Sequence, residues 1–319
     1  MIWKDIRKKN PKLLIALADD MMTSAQRKKL GVEAPRYDED YVPRAERAIL
    51  DLNLPDAAFA RLKDVLFDGD KGTYGFIGGF GESGHRFATN KLDGIEHLRA
   101  LRRVGFGGMV RDASLKPLAK LPKLARLNFS AADGFRDYEA LLEIPTLREL
   151  EISNLYPREK RYATKLGVVV ALAKRGVRVI GVEDAAMELA RKKKFADALA
   201  LFDHLITYEY VETNTLVAAT WAVSPSNNKA PPDRKRIERY VKAVLPHAEN
   251  APALFYNAAC LAFEIGETNT ALERIRLALR HGWNKPKQIE RDSVFAPLRK
   301  DPRFKAIFTR GGSKRRKKT

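Results

Sequence analysis

The chain has 319 residues, 45% of them hydrophobic and 31% charged, with 59 Lys and Arg against 40 Asp and Glu for a net charge of +19. That length fits two domains or one extended array, and the apolar share can build a sizeable core, which argues against wholesale disorder. One cysteine, Cys260, rules out an internal disulfide framework and any multi-cysteine zinc site. The longest unbroken apolar runs, such as Leu13 to Ala18 and Val168 to Ala173, have six residues, whereas a bilayer span needs about 20. Met1 to Asp5 has no apolar signal core. The expectation is a soluble, cytoplasmic protein.

Residues 1–58 read as helices. Asn10 followed by Pro11 supplies a cap residue and then a proline at the first helical position. Gly31 stops that segment, and Pro43 opens another reaching Leu52. Next, Phe59-x-x-Leu62-x-x-Val65-x-Phe67 switches from a three-residue to a two-residue apolar spacing. Between residues 92 and 155 the same switch recurs with a period of 23 in seven columns, among them Leu101/Leu124/Leu147, Val104/Leu127/Leu150 and Phe106/Phe129/Ile152. All 21 column positions are apolar; at this composition chance gives that on the order of once in ten million. The last two apolar residues of each block have the spacing of a short strand with one buried face. The stretch before them, such as Leu115-x-x-Leu118-x-x-Leu121, has the spacing of a helical or 3₁₀ turn, which Pro122 and Pro145 end. A helix at about 164–174 and a strand at Val177–Ile180 follow, with Val177 placed 27 residues after Leu150.

This pattern resembles leucine-rich repeats, whose core is Leu-x-x-Leu-x-Leu-x-x-Asn/Cys. It departs from them at the Asn/Cys position, held here by Met109, Ala132 and Leu155, so those turns need other hydrogen-bond partners. The resemblance implies an α/β solenoid of short parallel strands and helical or 3₁₀ turns over residues 59–182, with 1–58 as a helical cap over the first repeat.

From 184 to 283 the period changes. Ala186, Ala198, Leu199 and Phe202 recur as Ala259, Ala271, Leu272 and Ile275, each 73 positions later. A middle unit fits between them, with helices near 213–223 and 234–246 joined by the loop 224–233. Tyr256 to Ala262, Gly266 at the turn, and Ala271-Leu272 form the clearest unit. This looks like tetratricopeptide repeats, in which small residues sit where two helices touch. The resemblance implies an all-α solenoid over 183–309, and the basic tail 310–319 reads as disordered.

Motifs for catalysis are mostly missing. Gly79-Phe-Gly81-Glu-Ser-Gly84 has the form of a dinucleotide fingerprint, yet His85 to Asn90 opens no helix to receive a pyrophosphate. Asp68-Gly-Asp70 starts like a calcium loop but lacks the later glycine and glutamate. The five histidines share no i, i+4 pair, Cys260 reads as an inert packing residue, and no cofactor is expected. The chain is not read as an enzyme.

Surface chemistry says more. Residues between the buried pairs of the strands line what the resemblance makes a concave binding face: Arg103 and Gly105, Arg126 and Asn128, Glu149 and Glu151, and Arg178, with Ser130 and Ser153 following. Excess positive charge lies elsewhere, in the tail, in 229–242, and in 157–194, where Arg158, Lys160, Arg161, Arg191, Lys192, Lys193 and Lys194 form a polyanion patch. The function expected is a non-catalytic protein–protein interaction scaffold that binds a protein or peptide on its repeat faces. The alternative is association with nucleic acid or another polyanion through 157–194 and the tail.

Overall fold

Strands form at Val65-x-Phe67 and at the end of each 23-residue block, where the apolar spacing shortens to two residues. The computed structural model describes residues 1–32, 43–68, 89–107, 110, 112–129, 134–153, 155, 162–207 and 211–309. The Gly79–Gly84 loop, the Gly69–Gly72 turn, Met109, Ala132 and the tail 310–319 lie outside those residues. In chain order the strands are β1 (Asp64–Asp68), β2 (Arg103–Gly107), β3 (Ala113–Ser114), β4 (Arg126–Phe129), β5 (Phe135–Arg136), β6 (Glu149–Ile152) and β7 (Arg178–Ile180). Five of them make one parallel sheet in the order β1-β2-β4-β6-β7, and β3 pairs with β5 in a separate parallel pair that the apolar spacing does not reveal. The fold is therefore mixed α/β, and it divides into two compact units, one from Met1 to Val182 and one beginning at Glu183.

Register carries the period into space. Val65, Val104, Leu127, Leu150 and Val179 lie side by side across the sheet, and none of the five is more than 3% exposed. Phe67, Phe106, Phe129 and Ile152 form the next buried row, in which Phe67 stacks on Phe106 at 5.1 Å and Phe106 on Phe129 at 5.8 Å. Every described position of the seven columns is buried; burying one such side chain contributes about 1.5–3 kcal/mol. The i, i+3 stretches become 3₁₀ helices at Ile95–His97, Lys116–Lys120 and Tyr138–Glu143, the last two ending short of Pro122 and Pro145. One expectation is corrected. Val179, not Val177, pairs with Leu150, because the full α-helix at Ala163–Lys174 and its closing turn lengthen that connection.

Five helices precede the sheet: α1 (Ile2–Lys9), α2 (Pro11–Met21), α3 (Ser24–Leu30), α4 (Pro43–Leu50) and α5 (Asp56–Arg61). The stretch read as one helix from Asn10 to Gly31 is two. A fresh capping box starts α3: the Thr23 hydroxyl accepts from the Gln26 amide, and the Gln26 side chain accepts from the Thr23 amide. Asn10 accepts from the Leu13 amide at 3.1 Å and donates to the Lys91 carbonyl at 2.7 Å, so one side chain caps α2 and ties it to the segment leading into Leu92. Trp3 meets Phe59 edge-on at 6.2 Å and donates to the Leu50 carbonyl, joining α1, α4 and α5.

Past α6 (Ala163–Lys174), the second unit holds α7 (Glu183–Arg191), α8 (Phe195–Leu205), α9 (Thr213–Val223), α10 (Pro225–Asn228), α11 (Arg234–Val244), α12 (Pro252–Glu264), α13 (Thr268–Arg280), α14 (Pro286–Arg291) and α15 (Pro302–Thr309). The short α10 occupies what the sequence reads as a loop. All eight residues of the 73-residue match are buried, and Ala186, Ala198, Ala259 and Ala271 are fully so. The turns repeat as well. Lys193 and Lys194 donate to the Ala190 and Leu189 carbonyls as Gly266 and Glu267 donate to Phe263 and Ala262. This turn needs a left-handed residue, φ 86° at Gly266 and φ 59° at Lys193, and a side chain there is strained. Lys193→Gly is expected to stabilise the protein by about 0.5–1 kcal/mol, after allowance for glycine's freedom in the unfolded chain. Urea midpoints check it; an unchanged or lower midpoint contradicts it.

Candidate functional site

Because alternate residues of a strand point to opposite faces, the rows that bury Val104 and Phe106 also align the residues between them. The first outward row runs Asp64, Arg103, Arg126, Glu149, Arg178, and the second runs Leu66, Gly105, Asn128, Glu151, Ile180. Arg103, Arg126, Asn128, Glu149 and Glu151 line a depression of about 330 Å³. Most of the face is internally paired. Arg103 sits 3.6 Å from Asp64, Arg178 3.3 Å from Glu149, and Asn128 donates to Glu151. Arg126 makes no ion pair or side-chain hydrogen bond among the described residues, and its side chain is exposed.

Six of the sequence-read site residues thus come together. Gly105 is buried: Leu66 lies across it, with a methyl carbon 2.5 Å from where a Cβ would stand. It contributes room for Leu66, not contact surface. Ser153 is exposed just past the end of β6, its amide bound to the Phe129 carbonyl, and Ser130 lies outside the described residues. Sequence reasoning passed over Asp64 and Leu66, the latter 49% exposed, although the Val65-x-Phe67 spacing already placed them on this face.

The polyanion patch is less free than its charge count implies. Arg158, Lys160 and Arg161 lie outside the described residues. Glu188, 5% exposed, holds Arg191 at 2.6 Å and Lys192 at 3.2 Å. Among the basic residues of α11, Arg236 and Arg239 both pair with Asp203, and Arg234 pairs with Glu238 and Glu267.

The second unit contains a cavity of about 560 Å³ that no local spacing announces. It is lined from α9 by Thr220 and Trp221, from α12 by Tyr256, Asn257 and Cys260, and by Trp283 and Asp292 beyond the last helix pair. The Tyr256 ring stacks on Trp283 at 5.1 Å and its hydroxyl donates to Asp292. Burial, then the Asp292 contact, pushes the Tyr256 phenol up. Cys260 is only partly covered, which corrects its reading as a packing residue within a buried face. Burial and the nearby Asp292 and Glu264 carboxylates push its thiol up, away from the reactive thiolate. Among the described residues no group of three or more His, Cys, Asp or Glu could hold a metal ion, and no helix is long and apolar enough to cross a membrane.

No family model, curated protein or solved structure matches the chain.

Hydrogen bonds from Arg191 and then Lys192 hold the Glu188 carboxyl down at about 2, against an ordinary 4.5. A lowered folded-state value means the stabilisation is complete above about pH 4.5 and is lost as pH falls through about 2. Glu188→Gln should therefore lower stability at pH 7 by about 1–2 kcal/mol, the low end for charge-assisted bonds because both cations are exposed. The same variant should come within about 0.4 kcal/mol of the wild type at pH 2, where the carboxyl is half protonated. Denaturant melts at the two pH values check this; an undiminished penalty at pH 2 contradicts it.

Proposed function

We propose that the chain is a non-catalytic interaction module that docks a protein or peptide on the outward face of its parallel sheet. The 23-residue period and the sheet register support a leucine-rich-repeat-like solenoid. The 73-residue match and the repeated turn support a tetratricopeptide-like helical region after it. Repeat scaffolds of these kinds bind through side chains that a rigid frame holds in rows.

The observation that carries this reading is Arg126. A guanidinium presents five donors in a fixed fork suited to a carboxylate. Its neighbours Arg103, Glu149 and Asn128 are already engaged at the face, whereas Arg126, on the middle strand of the depression, has no ion pair or side-chain hydrogen bond among the described residues. Leu66 adds an exposed apolar contact two strands away. A partner segment with an acidic side chain and an adjoining apolar one would satisfy both. The acidic and basic residues of the face balance locally, which suits a polypeptide better than a uniform phosphate track. The ion pairs of Glu188 and Asp203 count against the polyanion alternative, since they occupy cations that counterion release would need.

The test is quantitative affinity purification from lysate of the source cells with the wild type, Arg126→Glu and Lys120→Glu. Lys120 is an exposed residue at the end of a 3₁₀ helix and matches the charge change. A specific protein should be recovered with the wild type and Lys120→Glu and fall at least about tenfold with Arg126→Glu, as expected when one member of an interfacial charge pair is reversed. An identical set of proteins from all three baits contradicts the reading.

A further inference from the structure

The second-unit cavity combines three features. Its wall is aromatic: Trp221 is 38% exposed and braced edge-on by Phe195 at 5.1 Å, and Trp283 is stacked on Tyr256. Its polar lining includes acceptors with spare capacity beside amide and hydroxyl groups. Asn257 donates its side-chain amide to the Thr220 hydroxyl at 2.8 Å and to the Val217 carbonyl at 3.4 Å, and its carbonyl oxygen takes no hydrogen bond among the described residues. Asp292 receives the Tyr256 hydroxyl and, at 2.8 Å, the Val294 amide, which leaves part of its acceptor capacity unused. Behind the lining residues Ser224 and Ser226, Glu264 accepts from both through one carboxylate oxygen, each at 2.8 Å, while its other oxygen is buried with no hydrogen-bond partner. That carboxylate adds negative charge behind this part of the wall. The third feature is charge. In a chain of net charge +19, no Lys or Arg among the described residues lines this cavity.

An aromatic wall beside the Asp292 carboxylate, with further acceptors and no Lys or Arg in the described lining, recognises positive charge. The ring faces attract a cation electrostatically, and the carboxylate and carbonyl oxygens take its N–H donors. The volume lies within the usual range for small-ligand sites. We propose that this cavity binds a cationic group, a guanidinium or alkylammonium, carried either by a small ligand or by a basic side chain of a polypeptide. It uses none of the residues of the sheet face and goes beyond that reading, so either can fail without the other. This chain supplies one candidate source itself, since residues 314–318 are Lys-Arg-Arg-Lys-Lys, five positions past the end of α15.

Tryptophan fluorescence reads the site directly, because the third tryptophan, Trp3, is buried in the first unit. The probes are Nα-acetyl-arginine amide, Nα-acetyl-lysine amide and the near-isosteric neutral Nα-acetyl-citrulline amide. Each is titrated into the full chain and into a chain ending at Thr309, which keeps every described element. The expected result is a saturable change with a cationic probe and at least tenfold weaker binding of citrulline amide. Asp292→Asn should lose at least tenfold for the cationic probes. Trp221→Leu, a change at a partly exposed position, should lose severalfold for them and leave citrulline amide unchanged. Weaker binding to the full chain than to the shortened one supports the site and assigns its natural occupant to the tail, while equal binding supports it and assigns an external ligand. Equal affinity for arginine and citrulline amides, or no saturable change in either chain, overturns the proposal.

Discussion

In-register parallel pairing across a constant step is the constraint on which the first unit depends. Once Val104 is set beside Leu127 and Leu127 beside Leu150, the 23-residue spacing forces each equivalent side chain into the same row. A slip of one residue in any strand would turn Phe106 or Phe129 to the outside and bring Arg103 or Arg126 in. Burying an unpaired guanidinium costs far more than the sheet hydrogen bonds return, so the rows reject the alternative registers. The stacked rings of Phe67, Phe106 and Phe129, joined by Phe135 at 4.5 Å from Phe129, add a shape requirement to the apolar one.

The same constraint prepares the outward face. Neighbouring parallel strands hold Asp64, Arg103, Arg126, Glu149 and Arg178 in one line without any further device. Within that line the charges pair at both ends and leave Arg126 over. The second unit works differently. Its helices bury Ala186, Ala198, Ala259 and Ala271, and the cavity is lined by α9, α12 and the segment carrying Trp283 and Asp292. One site is a consequence of the sheet register, the other of helix packing.

Much of this was legible in the residues. Apolar periods expose rows, so Val104, Phe106 and their equivalents could be read, and the outward residues followed by alternation. Asn10-Pro11 and Gly31 marked helix ends because capping chemistry is local. Three things were not legible. The Val179 register depended on how far α6 and its turn run, which no apolar pattern states. The break at Met22 was hidden by an unbroken apolar face, Leu13 to Ala18, that draws the eye past the Thr23 cap. The cavity joins residues from 214 to 294 whose meeting is set by helix packing, and Trp221, Tyr256 and Trp283 share no spacing. The charge count misled for a related reason: Glu188 and Asp203 find their cations through helix geometry, so a net charge overstates what a partner would meet.

That the sheet's outward face is where a partner docks is tested most directly by site-specific photo-crosslinking. A photoreactive phenylalanine analogue is placed at Asn128, on the face, and in a second protein at Glu139, exposed on the 3₁₀ helix Tyr138–Glu143. Irradiation in the source cells should yield a discrete protein adduct from position 128 and none of the same mass from position 139. The same adduct from both positions, or one from position 139 alone, would contradict the account.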